Sequence, residues 1–230
     1  MTTTISPLRQ RMLDDMRLRN LSENTQKVYT LAVANFARHF GRSPDKLGLE
    51  DVRLYRLHLV ERGLKVASIN TIVGALRFFY SVTLRRKEIA EDIPFARKEE
   101  VIPAVLSPEE VVQLLEAVDG LKCRIALTTI YAAGLRVSEA VALTANDIDS
   151  QRMVILVRQG KGRKDRYVML SEQLLDILRR YYRQSRPRIY LFPGRDPAAP
   201  LTTRAVQYAC RLAVGKAGIG KNVTVHTLRH

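Results

Sequence analysis

Residues 153–170, MVILVRQGKGRKDRYVML, set the class of the fold. Two runs rich in β-branched and aromatic residues, 153–157 and 167–170, flank the segment GKGRKD, whose glycines and charges interrupt them. This pattern predicts a β-hairpin with a basic tip. The periodic segments on both sides repeat at helical spacing instead, so a small sheet inside a mainly α chain is expected.

Upstream of the hairpin, Ser107 is an N-cap candidate followed by Pro108 and by Glu110 three positions on. With Leu106 and Val111 as a hydrophobic staple, this is a strong helix start for residues 107–118. A second apolar helix runs over 121–133 to Gly134, a residue suited to a left-handed cap, and a short helix carries residues 136–143. Downstream, Ser171 caps a helix through Leu174, Leu178 and Tyr182, and a last one runs from Thr203 through Val206, Cys210 and Ala213 towards Gly218.

The first 88 residues read as helices only. Ser22 caps a segment with Val28, Leu31, Ala32, Phe36 and Phe40 at helical spacing; Val52, Tyr55, Leu59 and Val60 mark a second, ending at Gly63. Ile69, Ile72, Leu76, Phe79 and Val82 mark a third, running from Ser68 to Arg85. Residues 89–106, IAEDIPFARKEEVIPAVL, break the periodicity at Pro94 and Pro103 and read as a linker. The expected organisation is a helical domain over 1–88, a linker over 89–106 and an α+β domain over 107–230.

Lys and Arg number 38 against 23 Asp and Glu, a net charge of +15, with a pI near 10.2. Residues 151–190 hold eleven of the basic residues and three acidic ones, so more than half of the excess lies there. A polyanionic partner, nucleic acid first, fits this balance. Cys123 and Cys210 sit in apolar helical patterns with no CxxC partner, which supports neither a disulfide framework nor a zinc site. No apolar run is read as long enough to cross a bilayer, the N-terminus MTTTISPLRQR lacks the apolar core of a signal peptide, and a cytoplasmic protein is expected.

Three polar elements stand out: AGLRVSEA at 133–140, GKGRKDRYV at 160–168 and VHTLRH at 225–230. Alone, each is ambiguous. Arg136 could grip a phosphate in two-pronged fashion or form a structural salt bridge, and Glu139 could support it from one helix face. Lys161 at a glycine-flanked tip could be plain surface. His226 and Arg229, at i and i+3, would share a helix face. Together, cationic donors and acid/base groups are what phosphoryl transfer without a metal requires.

In order and context these elements resemble the tyrosine site-specific recombinases of the phage integrase family, Xer-like members in particular. The resemblance spans the chain: NTQKVYTLAVANFARHF and SINTIVGALRFFY in the N-terminal part, a Pro-bearing linker, then A-G-L-R-x-S-E, G-K-G-x-K-x-R and H-x-L-R-H. It implies a SAM-like helical core-binding domain and an α+β catalytic domain of the DNA breaking-rejoining type. It further implies that Arg136 and Arg229 clamp the scissile phosphate, that Glu139 supports Arg136, and that Lys161 protonates the leaving 5′ oxygen, with Lys164 as the substitute. His226 would assist proton transfer. In this family a tyrosine attacks to give a 3′-phosphotyrosyl intermediate, with no cofactor and no metal. The implied partners are double-stranded DNA and other recombinase protomers, with no membrane.

The family pattern continues past the H-x-x-R box to another His or Trp and then the tyrosine, whereas this sequence stops at His230, so a chain incomplete at its C-terminus is expected. All nine tyrosines, from Tyr29 to Tyr208, precede the box. None is nominated as nucleophile, and core packing is expected of most. The competing reading is a DNA-binding module without catalysis. Apolar surface around Val223, Val225 and Leu228 is expected to be exposed.

Overall fold

The computed structural model describes residues 6–97, 104–158 and 164–229. The chain divides into two units, Met1–Val101 and Ile102–His230, each with its own apolar core.

The first unit is helical: α1 (Pro7–Leu18), α2 (Glu23–Phe40), α3 (Leu49–Glu61), α4 (Val66–Phe78) and α5 (Lys87–Glu91). Ser22 caps α2, its hydroxyl accepting the Thr25 N–H at 3.2 Å, and Gly41 ends it in a left-handed conformation. The buried face of α2 holds Thr30, Ala32, Val33 and Phe36. Thr30 tolerates burial because its hydroxyl donates to Gln26 O at 2.7 Å. Val28 and Leu31, assigned to the apolar stripe by spacing, are instead exposed, as is Val60 on α3.

Beyond Phe78 the backbone of α4 widens into a π turn over Phe79–Thr83 that buries Phe79, Tyr80 and Thr83. The Tyr80 hydroxyl donates to Leu47 O at 2.8 Å, tying the end of this helix to the turn before α3. By length and composition Val66–Thr83, with a mean hydropathy of 1.2, could cross a membrane, which corrects the sequence reading that no run comes close. Here Ile69, Val73, Leu76, Phe79 and Tyr80 belong to the core of the unit.

Residues 89–96, which the prolines suggested as the start of a linker, fold onto α4. Ala90 and Ile93 are buried. The Asn70 amide donates to Ala96 O and accepts the Ala96 N–H, both at 2.8 Å, and Arg77 donates to Ile93 O at 2.6 Å.

The second unit contains α6 (Pro108–Glu116), α7 (Leu121–Ala133), α8 (Val137–Val141), β1 (Ile148–Asp149), β2 (Val154–Val157), β3 (Arg166–Met169), α9 (Glu172–Ser185) and α10 (Thr203–Lys216). The expected capping box at Ser107 forms: Ser107 N–H donates to Glu110 Oε2 at 2.7 Å and the Ser107 hydroxyl accepts the Glu110 N–H at 3.3 Å. The sheet is antiparallel in the order β1-β2-β3, with Val154 opposite Met169 and Val157 opposite Arg166. β1, only two residues long, is too short to show a periodicity in sequence.

Val223, Val225 and Leu228 are buried, 8%, 5% and 3% exposed, and pack into the core of this unit. This overturns the expectation that they would form a bare apolar surface. Nor is core packing general among the tyrosines: Tyr55, Tyr80 and Tyr181 are buried, while Tyr131, Tyr167, Tyr182 and Tyr208 are exposed. The first three lie on inward helix faces; the others fall on outward positions of their helices and of β3.

Replacing Tyr80 by Phe leaves the Leu47 carbonyl buried without its donor. Urea denaturation is expected to show a loss of about 1–3 kcal/mol; an unchanged midpoint would show that another donor replaces the hydroxyl.

Candidate functional site

Local folding of residues 130–139 places the first arginine. α7 ends where Gly134 turns left-handed (φ 61°), and Leu135 N–H donates back to Ile130 O at 3.1 Å, the bond that closes such a terminus. Leu135 is buried and Arg136, in extended conformation, becomes the N-cap of α8. Glu139 folds back on it. Its Oε2 accepts the backbone N–H of Arg136 at 2.7 Å and its Oε1 accepts the guanidinium Nη1 at 2.8 Å.

The β2–β3 hairpin supplies a second guanidinium. Residues opposite one another in an antiparallel ladder share a face, and Val157, the partner of Arg166, is 1% exposed. The Arg166 side chain is thereby turned inward. Its Nη1 donates to Glu139 Oε1 and its Nη2 to Oε2, both at 2.8 Å. Glu139 itself is buried. The Arg166 fork, opposed by burial and reinforced by Arg136, holds the carboxyl down at about 2.

A second buried carboxylate anchors the hairpin stem. Asp147 accepts the Thr144 N–H at 2.9 Å, its hydroxyl at 2.8 Å, and Arg158 Nε at 2.7 Å. Burial raises the Asp147 pKa, but the bonds from Arg158 and Thr144 outweigh it and the net direction is down.

The third element is a 3-10 turn, Thr227–Arg229, where an α-helix was expected. Arg229 N–H donates to His226 O at 3.2 Å, and in so tight a turn side chains at i and i+3 eclipse, so the two still share a side. Arg229 Nε donates to Gly134 O at 2.8 Å, two residues before Arg136.

Arg136 and His226 line one groove of about 520 Å³ together with Gln207 and Arg211 of α10, Ser138, Asn222 and Thr224. Among the described residues that line it none is a carboxylate and none a tyrosine. The groove thus presents cationic and hydrogen-bond-donating groups to one bound anion. Lys161 lies outside the described residues. Lys164 is exposed and is not among the groove-lining residues.

Arg166, Gln207 and Arg211 escaped the sequence reading. Arg166 closes the G-K-G-x-K-x-R pattern, and the alternation of β3 would have turned it towards the core. Gln207 and Arg211 occupy the outward positions of a helix whose inward ones are Val206, Cys210 and Ala213.

The Glu139 value fixes a pH dependence. A folded-state pKa near 2 against an ordinary 4.5 contributes stability that is complete above about pH 5 and is lost as pH falls towards 2. The contribution is on the order of 2–3 kcal/mol once solvent around the partly exposed arginines is allowed for. Chemical denaturation at several pH values should show this loss in the native protein and a flatter acid limb in Glu139→Gln.

Comparisons with known proteins bear on the family and the fold. Residues 104–230 match the phage integrase family and residues 8–89 its N-terminal SAM-like domain. The chain is 53% identical, over 98% of its length and 74% of the relative, to the integrase/recombinase y4qK of Sinorhizobium fredii. It is 32% identical to the tyrosine recombinase XerD of Pseudomonas aeruginosa, over its whole length and 83% of the relative. Among solved structures, a lambda integrase fragment, a dimer bound to a core site, matches with a TM-score of 0.76 at 16% identity, covering 96% of this chain and 85% of that one. The Tn1549 transposon integrase, in complex with circular intermediate DNA, matches at 0.71 and 21% identity, covering 97% and 84%. With both parts of the chain matched, and relatives aligned along almost all of it, the chain belongs to the phage integrase family of tyrosine recombinases.

Proposed function

We propose that the groove beside α8 is the scissile-phosphate pocket of a site-specific DNA recombinase or integrase. The observation that carries this reading is that Arg136 and His226, from two widely separated sequence motifs, line one groove with no carboxylate among its described lining residues, while Arg229 is tied to the Gly134 carbonyl two residues before Arg136. Arg136 and Arg229 hold the non-bridging oxygens and stabilise the charge that grows on them during strand transfer. His226 holds the phosphate and assists proton transfer, Glu139 orients Arg136, and Lys161 on the hairpin, or Lys164 in its place, delivers the proton to the leaving 5′ oxygen. The bond energy is kept in a 3′-phosphotyrosyl link, so rejoining needs neither cofactor nor metal.

Double-stranded DNA is the proposed substrate and other protomers of the same protein are the proposed partners, in the cytoplasm where that DNA lies. The net charge of +15 and the DNA-bound lambda and Tn1549 relatives support this. The helical first unit acts as the core-binding domain and the second unit, from about residue 107, as the catalytic domain.

A second reading, a DNA-binding module without strand cleavage, is favoured by one observation: no tyrosine stands among the described groove-lining residues. One measurement tests the DNA binding that both readings share, and a second separates them. Duplex DNA titrated at rising salt is expected to bind progressively more weakly, losing roughly 10³-fold or more between about 50 and 200 mM if six or more phosphates are neutralised. Binding indifferent to salt would overturn both readings. With a nicked duplex, an SDS-stable adduct abolished by Tyr→Phe at one of the nine tyrosines would support strand cleavage and identify the nucleophile, whereas salt-dependent binding with no adduct would favour the second reading.

A further inference from the structure

We propose that Arg166 is a positioning residue for Arg136: by occupying both oxygens of Glu139, it keeps that carboxylate from capturing the Arg136 fork and leaves Arg136 available to the anion groove. This role rests on the phosphate-pocket reading above.

The geometry is asymmetric. Arg166 spends two nitrogens on Glu139, one on each oxygen. Arg136 spends Nη1 alone, and its side chain keeps 34% of its surface exposed where it lines the groove. A carboxylate three residues away on the same turn is otherwise an ideal two-pronged partner for a guanidinium. Without a competitor, Glu139 would draw both Arg136 nitrogens inward and cancel its charge. With Arg166 in place, one carboxylate faces two guanidinium ions and a net charge of +1 remains, carried at the edge of the groove. Arg166 also makes that arrangement conditional on the hairpin: the strand whose approach carries Lys164 must be docked for Arg136 to be set.

The test is a cycle of variants of the full chain, titrated with a mixed-sequence duplex over a range of salt and checked for folding by circular dichroism. R136A is expected to lose roughly ten- to a hundredfold in affinity and about one from the slope of log affinity against log salt. R166A should match it in both respects, and R136A/R166A should lose no more than either. R166K, a point charge without a fork, should fall between wild type and R166A. E139Q should restore most of the affinity to R166A, because R166A/E139Q again carries net +1 and Gln can keep the cap on the Arg136 N–H. That double variant also removes the buried charge that has lost its Arg166 partner, so it carries the comparison if R166A alone does not fold.

Additive losses, with the slope falling by about two, would mean that Arg166 touches a phosphate itself and would overturn the proposal. So would an R166A chain that melts earlier yet binds with the wild-type slope, or an R166A/E139Q chain that binds no better than R136A. If R136A alone binds as wild type does, the phosphate-pocket reading fails and this role falls with it.

Discussion

Glu139 keeps its charge while buried because hydrogen bonds from two chain segments converge on its two oxygens: the Arg136 backbone and guanidinium from one, the Arg166 fork from the other. An ionised carboxylate removed from water without such partners would cost several kcal/mol and would protonate instead. The requirement propagates outward. It places the start of α8, it docks β3 against that helix, and through the left-handed end at Gly134, whose carbonyl accepts from Arg229, it bears on the last described turn. Charge pairing here sets positions and adds a pH-dependent share of the stability, while an apolar core packs the rest of the unit.

The same logic recurs one layer away. Asp147 is also buried and also satisfied from its own turn and by an arginine of the hairpin stem, Arg158. Two carboxylates from the helical part thus each take an arginine from the β2–β3 hairpin, one at β3 and one just past β2. A hairpin so short, with few inward apolar residues, cannot be positioned by hydrophobic burial alone, because burial is non-directional. Hydrogen-bonded ion pairs are directional, and they supply the register between sheet and helices.

In the helical unit the constraint is different. There the core is contiguous and apolar, built on Phe36, Tyr55, Leu76, Phe79 and Tyr80, and directionality comes from single polar ties: Tyr80 to Leu47, Asn70 to Ala96, Arg77 to Ile93. These ties explain why residues 89–96 fold back although Pro94 and the neighbouring charges look like a linker. Pro94 ends the short helix α5 before it, but it does not forbid the extended segment that follows from packing, and local composition carries no record of a donor on α4.

Most of the elements were legible in the sequence because their signals are local: caps at Ser22, Ser107 and Ser171, a glycine terminus at Gly134, a β-branched run in β2, and three motifs whose order alone marks the family. What is local in cause is local in sequence. Which residues of a stripe face the core was less legible, since Thr30 displaces Val28 and Leu31 through a hydrogen bond to its own helix. The tertiary structure alone decided that Val223, Val225 and Leu228 are buried, that Gln207 and Arg211 join the groove, and that Arg166, 27 positions from Glu139, completes its shell. Those outcomes depend on pairings between distant segments, and a periodicity or a motif says what a residue can bond to without saying what folding will bring within reach.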